Sequence, residues 1–476
     1  MRIAPTALFD AGRNETFQKR WFLGSVCAIM VLRELNNIGS KSCKLLFQPT
    51  YVRGRLMSKS MQSIQSELRL PEFQIINRQE NDSGILYTVE PIERMTKCPL
   101  CGGKLHAHKK ESRKIRDLDT FGKQVGIRIQ MNTYRCSSCK ELTRPTFESV
   151  NGQLTNRLRD TIAEEAYGNA TFSDIARKYH VSTATVLRAF EERGEKYWNS
   201  YQLIAPRVLG IDEVHLNNAY YGLFVDVDKD NGSIIELSEE RTSEAVKAVL
   251  RRMIHPENIE YVTMDMWRPY YKAVQDVLPG VPIIIDRFHV IKALQTDLDR
   301  IRSATSGQIK NERVRKSLKH NRFLFLKSAE SLTYEQKKAL TELFANYPQF
   351  ETPYMLKEAF RDIYTNATTK DAAMKMFEEW CKEVDKQNLN NGTGQKGGLG
   401  YGNFIATVRN WYDPIFNYFD YTGPNRTNAQ TESLNHIIKE TAAQSRGFSF
   451  KNLRTKMIFR KKPEKISRFD FDVFGD

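Results

Sequence analysis

The sequence predicts a multidomain α+β chain, and three observations carry that prediction. Two Cys-x-x-Cys pairs, Cys98/Cys101 and Cys136/Cys139, stand among short alternating segments. A compact helical pair follows over residues 171–190. From Pro206 onward three strand-like runs give way to helix, strand, helix and strand, and then to a long helical stretch. With 476 residues the chain is too long for one ordinary core. Strands alternating with helices are the pattern of an α/β layer.

Bulk composition narrows the partners. Forty per cent hydrophobic and 27% charged residues belong to a globular protein. A formal net charge of +15 and a pI near 9.3 favour a polyanionic partner such as nucleic acid. No apolar run reaches the ~18 residues of a membrane span, so no membrane association is expected. Seven cysteines, four of them in paired knuckles, fit a metal site in a reducing compartment better than a disulfide framework. The run Trp21 to Leu32 loosely resembles a signal-peptide core but lacks a small-x-small cleavage site. A cytoplasmic, nucleoid-associated location is the expectation.

Residues 1–56 carry nine Lys/Arg against three Asp/Glu without clear periodicity. They read as a basic arm or as an extension upstream of the natural start. Residues 57–145 read as a zinc-ribbon domain, with short strands at Gly84–Val89 and Val125–Gln130 around the cysteines. Two knuckles can set Cys98, Cys101, Cys136 and Cys139 tetrahedrally around Zn²⁺, which suits soft sulfur donors. Gly102 and Gly103 relieve the tight turn of the first knuckle. Four sulfurs leave no open position, so this metal is structural. His106 and His108 read as solvated residues rather than alternative ligands.

Residues 150–200 read as a helix-turn-helix DNA-binding region. Ile175, Ala176 and Tyr179 pack from the first helix against Val181, Val186 and Phe190, and small Ala176 permits a close crossing. Ser182 is the predicted N-cap of the second helix. Ser182, Thr183, Thr185 and Arg188 are then placed to reach base edges or phosphates.

Residues 205–290 and 425–460 form the predicted catalytic domain. Strands at Val208–Val214, Ala219–Val227 and Ser233–Leu237 precede helix Ser243–Met253 and the strand ending in Asp265. A helix over Pro269–Leu278 and a strand at Val281–Ile285 complete the set. Three antiparallel strands followed by αβαβ is the order of a ribonuclease-H-like fold. It places Asp212 on the first strand beside Asp265 on the fourth. Glu213 points to the opposite face. Asp226, Asp228 and Asp230 read as turn residues.

Residues 291–424 form a predicted all-helical insertion, with capping boxes at Thr333-x-x-Gln336 and Thr368-x-x-Asp371 and a Gly/Asn/Gln-rich loop at Asn388–Gly402. Ala373, Met376, Phe377, Trp380 and Val384 form one buried stripe. Residues 461–476 read as a C-terminal tail.

The third acid, Glu432, lies in a helix on whose one face Asn428, Glu432, Asn435 and Lys439 recur at spacings of 4, 3 and 4. Asn428 and Asn435 are candidates to hydrogen-bond the carboxylate or DNA backbone, and Lys439 to meet a phosphate. Asp286 and His289 follow the fifth strand as support for the site or as a contact near the scissile phosphate. A bare carboxylate in a strand core is costly unless paired or metal-bound. Asp212, Asp265 and Glu432 together supply what a two-metal phosphoryl-transfer site needs, with Mg²⁺ (or Mn²⁺) as the ions.

These residues resemble a known family, the bacterial insertion-sequence DDE transposases of the ISL-three group. The likeness spans about residue 60 to 460. It rests on Cys98-Pro-Leu-Cys101-Gly102, Arg116-Asp117-Leu118, Tyr134-Arg-Cys136-x2-Cys139 and the helix-turn-helix. It continues through Gly210-Ile-Asp212-Glu213, Met264-Asp265-Met266, Asp286-Arg-Phe-His289 and Asn428-x3-Glu432-x2-Asn435. The resemblance implies a ribonuclease-H-like domain interrupted by a helical insertion, with Asp212, Asp265 and Glu432 as catalytic acids. It further implies cut-and-paste movement of an element with terminal inverted repeats, and a homodimer or higher oligomer on DNA. Two alternatives are a catalytically inactive DNA-binding repressor derived from a transposase and a ribonuclease-H-like nuclease. The intact triad opposes the first. The second has no need of both a zinc ribbon and a helix-turn-helix.

Overall fold

A computed structural model of the chain describes residues 68–228, 232–390, 399–421, 429–445 and 448–461. The basic segment 1–56, the tail after residue 461 and Asn428 therefore lie outside the described residues, as does most of the loop at 388–402. All elements below belong to the unit from Arg69 to Asp476.

The first sheet holds β1 (Phe73–Glu80), β2 (Gly84–Pro91), β3 (Leu105–Thr120), β4 (Lys123–Cys136), β5 (Leu142–Thr143), β6 (Val150–Asn151) and β7 (Leu154–Thr155). Its order is β1-β2-β4-β3-β7-β6, with β5 on β4. Sequence reading found the parts of β2 and β4 that alternate, but not β3. That strand is a run of His, Lys, Glu, Ser and Arg, whose exposed stretch gives no apolar period. It is long because it pairs with β4 from Leu105↔Cys136 to Thr120↔Lys123. Phe121 and Gly122, both at positive φ, turn the hairpin. Ile115, Val125, Ile127 and Ile129 are buried along its inner half.

Three helices follow: α1 (Asn156–Ala166), α2 (Phe172–Lys178) and α3 (Thr183–Ser200), capped by Thr155, Thr171 and Ser182. Their core includes Ile162, Tyr167, Ile175, Ala176, Tyr179, Val186 and Phe190, with Val181 partly buried against it. Buried Asp117 ties this bundle to β3. It accepts hydrogen bonds from Thr155 Oγ1 at 2.6 Å and Arg157 Nε at 2.7 Å.

The second sheet comprises β8 (Val208–Leu216), β9 (Ala219–Asp226), β10 (Ser233–Ser238), β11 (Tyr261–Met264) and β12 (Ile283–Ile285) in the order β10-β9-β8-β11-β12. Strands β8, β9 and β10 are antiparallel neighbours, while β11 runs parallel to both β8 and β12. Helices α4 (Ser243–Arg251) and α5 (Arg268–Val277) connect β10, β11 and β12 and pack on each other.

A helical stretch then runs through α6 (Arg287–Gly307), α7 (Glu312–His320), α8 (Arg322–Leu326), α9 (Tyr334–Asn346), α10 (Glu351–Asn366), α11 (Lys370–Lys386), α12 (Gly402–Asn410) and α13 (Tyr412–Phe416). The capping box at Thr333 is present. The second expected box is not: Thr369, not Thr368, caps α11, accepting from Ala372 N. Thr369 holds the extended conformation an N-cap needs, so the helix starts one residue later than the motif suggests. Ala373, Phe377, Trp380 and Val384 are buried as expected. Helices α14 (Ala429–Gln444) and α15 (Phe450–Ile458) return to the second sheet, against β8 and β10 respectively. Among the described residues no helix is long and apolar enough to cross a membrane.

Candidate metal-dependent active site

Parallel pairing of β8 with β11 sets Ile211 opposite Met264, so the next residues, Asp212 and Asp265, emerge side by side. Asp212 is 9% exposed. Its Oδ1 accepts from Glu213 N at 2.7 Å and its Oδ2 from Asn435 Nδ2 at 2.6 Å. Burial, and then the neighbouring Asp265 charge, push the Asp212 carboxyl up to about 7. Asp265 lies just beyond β11, with His289 Nε2 3.0 Å from its Oδ1. No hydrogen bond is formed to that buried oxygen, whose polar neighbour is the His289 ring. Burial disfavours the His289 imidazolium, but Asp265, Asp286 and Asp212 outweigh it and raise the ring above its usual value.

Asp286 plays a different part from Asp265. It is 3% exposed and N-caps α6, accepting from Phe288 N at 2.9 Å. That cap fixes the first turn of α6 and thereby aims His289 at Asp265.

Helix α14 presents the third group. Asn435 reaches Asp212 and also donates to the Glu213 carbonyl at 3.2 Å, while its own Oδ1 is buried and unpartnered. Glu432, one turn earlier, is exposed and lines a cavity together with Asp286. Lys439 is exposed one turn later. Of the three residues from that predicted face lying within the described residues, Asn435 is the one that touches Asp212. Among the described residues the acids do not close to within 4.8 Å as a set, whereas four cysteines do. Mutual repulsion favours Glu432 standing away from the Asp212–Asp265 pair. An adjacent carboxylate pair, with one member pushed towards neutrality and one oxygen lacking a donor, fits a hard divalent cation.

Several roles at this site escaped sequence reading. Gly210 lets α14 lie close on β8: a Cβ there would stand 2.7 Å from Val227 Cγ2 and 2.9 Å from Thr431 Oγ1. A glycine inside an apolar strand is the signal that could have found it. Arg241 pairs with Glu213 at 2.7 Å and stacks on Tyr220 and Trp267, which accounts for Glu213 on the opposite face. The Tyr270 hydroxyl is buried without a partner, and burial pushes it up. Asp226 accepts from Asp228 N and Asp228 pairs with Arg207, consistent with turn roles; Asp230 lies outside the described residues.

The four cysteines converge. Cys98 Sγ and Cys139 Sγ are 3.7 Å apart, and Cys101 Sγ and Cys136 Sγ 3.4 Å. Tetrahedral Zn–S bonds of ~2.3 Å put sulfurs ~3.8 Å apart, so the set has the span of a structural Zn²⁺ site. The Cys139 backbone amide, with that of Ser138, lowers the Cys136 thiol to about 6. A Cβ on Gly103 would stand 2.9 Å from Cys136 Sγ, so glycine is needed beside the sulfurs. His106 and His108 are exposed on β3 and outside the cluster.

At the start of α3, Ser182 accepts from Thr185 N at 3.2 Å. Ser182, Thr183 and Arg188 are exposed and Thr185 is half-buried. Ser182, Thr185 and Arg188 line a cavity of about 640 Å³ with Arg116 of β3. Thr183 lies outside that lining.

These features define a mixed α/β protein with a zinc-ribbon-like thiolate site and a carboxylate pair on adjacent inner strands of the second sheet. A family model described as a transposase, that of the ISL-three DDE group, matches residues 209–457, more than half of the chain. A second, described as the zinc-finger of transposase IS204/IS1001/IS1096/IS1165, matches residues 94–139. The transposase for insertion sequence element IS1001 of Bordetella parapertussis is 24% identical over 314 residues, covering 63% of this chain and 75% of that protein. The chain belongs to the ISL-three group of insertion-sequence DDE transposases.

Proposed function

We propose that this transposase binds the terminal inverted repeats of its element, cleaves the DNA ends and joins the 3′-hydroxyls to target DNA. On this reading residues 205–290 and 425–460 are a ribonuclease-H-like catalytic domain and residues 291–424 its helical insertion. Residues 57–145 are a zinc ribbon and residues 150–200 a helix-turn-helix. The observation that carries it is the pairing of Asp212 with Asp265 on adjacent parallel strands, with Asn435 of the Glu432 helix bonded to Asp212. The strand order and direction are those expected of a ribonuclease-H-like sheet.

Asp212, Asp265 and Glu432 would hold Mg²⁺ (or Mn²⁺), which supplies Lewis acidity for in-line phosphoryl transfer. Asn435 fixes the Asp212 carboxylate by donating to Oδ2. His289, set by the Asp286 cap, holds its Nε2 3.0 Å from Asp265 Oδ1. Ser182, Thr183, Thr185 and Arg188 offer hydroxyl and guanidinium donors to double-stranded DNA. Two DNA ends must be handled together, so a homodimer or larger assembly in the bacterial cytoplasm is the working form.

Strand cleavage of end-containing duplex with Mg²⁺, and with chelator, tests the proposal. Asp212→Asn, Asp265→Asn and Glu432→Gln should each abolish cleavage while end binding persists. Near-wild-type cleavage by any one variant would remove that residue from the site.

A further inference from the structure

Beside Glu432 lies a cavity of about 700 Å³ that the acids themselves do not explain. It is lined by the first turn of α6, including Asp286, Arg287 and Phe288, and by Phe323 and Lys327 from α8 and its end. Phe288 and Phe323 are 53% and 68% exposed. Two large rings left in water around one cavity are unfavourable unless something covers them. The wall that carries Phe323 is anchored, because fully buried Lys357 donates to the carbonyls of Phe325 at 2.9 Å and Lys327 at 2.7 Å.

We propose that this cavity receives one unstacked nucleobase from the DNA end, its faces against Phe288 and Phe323 and its phosphates against Arg287 and Lys327. The inference rests on the DNA-cleaving reading above. Three features select a base over other apolar occupants. The volume lies in the ~300–1,000 Å³ range that encloses a ligand of nucleotide size. Cations stand beside the rings, in a chain of net charge +15. Glu432 shares the lining, so the occupant sits next to one of the three acids assigned to the reaction, with the cap residue Asp286 beside it. A base within an intact duplex shows no face to such a cavity, so it must leave the stack. Aromatic side chains can repay that loss with any base, since each has a π-face.

The test uses the full chain and duplexes carrying the element's terminal repeat, with 2-aminopurine placed at successive positions across the cleaved boundary. Fluorescence and strand cleavage are read in parallel for wild type, Phe288→Ala and Phe323→Ala. The expected result is a fluorescence rise at one position, lost in both variants. Cleavage should fall on the order of tenfold. A substrate with an abasic site at that position should restore cleavage to the variants, which a folding defect would not allow. Both rings are exposed, and matched thermal melting confirms folded variants. Wild-type cleavage without any fluorescence rise, or a rise unchanged in both variants, overturns the cavity assignment alone. Wild type that neither binds nor cleaves the ends removes the DNA-cleaving reading and this inference with it.

Discussion

Gly210 offers the sharpest test of how the fold builds the site. Helix α14 carries both Asn435 and Glu432, and its distance from β8 is set where Thr431 crosses Gly210. In Gly210→Ala the new Cβ would lie 2.7 Å from Val227 Cγ2 and 2.9 Å from Thr431 Oγ1, whereas ordinary contact begins near 3.4 Å. Val227 and Thr431 must therefore yield by about half an ångström or more. Both are fully buried, so overpacking should cost ~1–3 kcal/mol. Because misplacement by ~1 Å can cost ~100-fold in rate, a shift of half that size predicts about tenfold slower strand cleavage. The assay is Mg²⁺-dependent cleavage of end DNA alongside thermal melting. Gly126→Ala is the control, since its Cβ would meet Leu86 Cδ1 at an ordinary 3.5 Å. Adding Thr431→Ala to Gly210→Ala should recover part of the rate, because the buried Thr431 hydroxyl has no hydrogen bond to lose. Gly210→Ala that melts and cleaves like wild type would refute the claim that this contact positions α14.

Three further outcomes rest on contacts elsewhere in the fold as well as at the site. Asn435→Ala removes both the donor to Asp212 and the donor to the Glu213 carbonyl, so cleavage should fall at least tenfold with end binding unchanged; equal loss of binding would argue for a DNA-contacting role instead. Cys136→Ser should take zinc below one equivalent by metal analysis and lower the melting temperature, and full zinc with unchanged melting would defeat the four-thiolate assignment. Lys456 is buried on α15, donating to the Ala170 carbonyl at 3.1 Å, and burial, then Arg460, lowers its ammonium to about 8. The unfolded lysine holds its proton more tightly, so this group's penalty is full below about pH 8 and fades as the pH approaches the ordinary lysine value of 10.5. Lys456→Met should therefore be more stable at pH 7, by on the order of 2 kcal/mol after the lost hydrogen bond, with the gain shrinking by pH 10. A difference independent of pH would count against a buried, charge-strained lysine.

What could be read from residues alone divides along physical lines. Strands β8 to β12 announce themselves because they are apolar, short and bounded by turn residues, and a buried sheet has to look that way. Asp212 and Asp265 stand out against that background for the same reason: charge in an apolar run needs an explanation. Strand β3 gives no such signal, since its outer half is solvated on the hairpin and held by pairing to β4 rather than by burial. Spacing alone also overstates a helix face. Asn428, Glu432, Asn435 and Lys439 share a periodicity, yet it is Asn435 that meets Asp212, while Glu432 and Lys439 are exposed and Asn428 lies outside the described residues. A face fixes direction around the helix axis, not depth along it, and depth is set by what the helix crosses. Here that is Gly210, a residue with no chemistry of its own. The candidate acids are thus legible one at a time, but the approach of the helix that carries the third depends on a missing side chain two residues before the first of them.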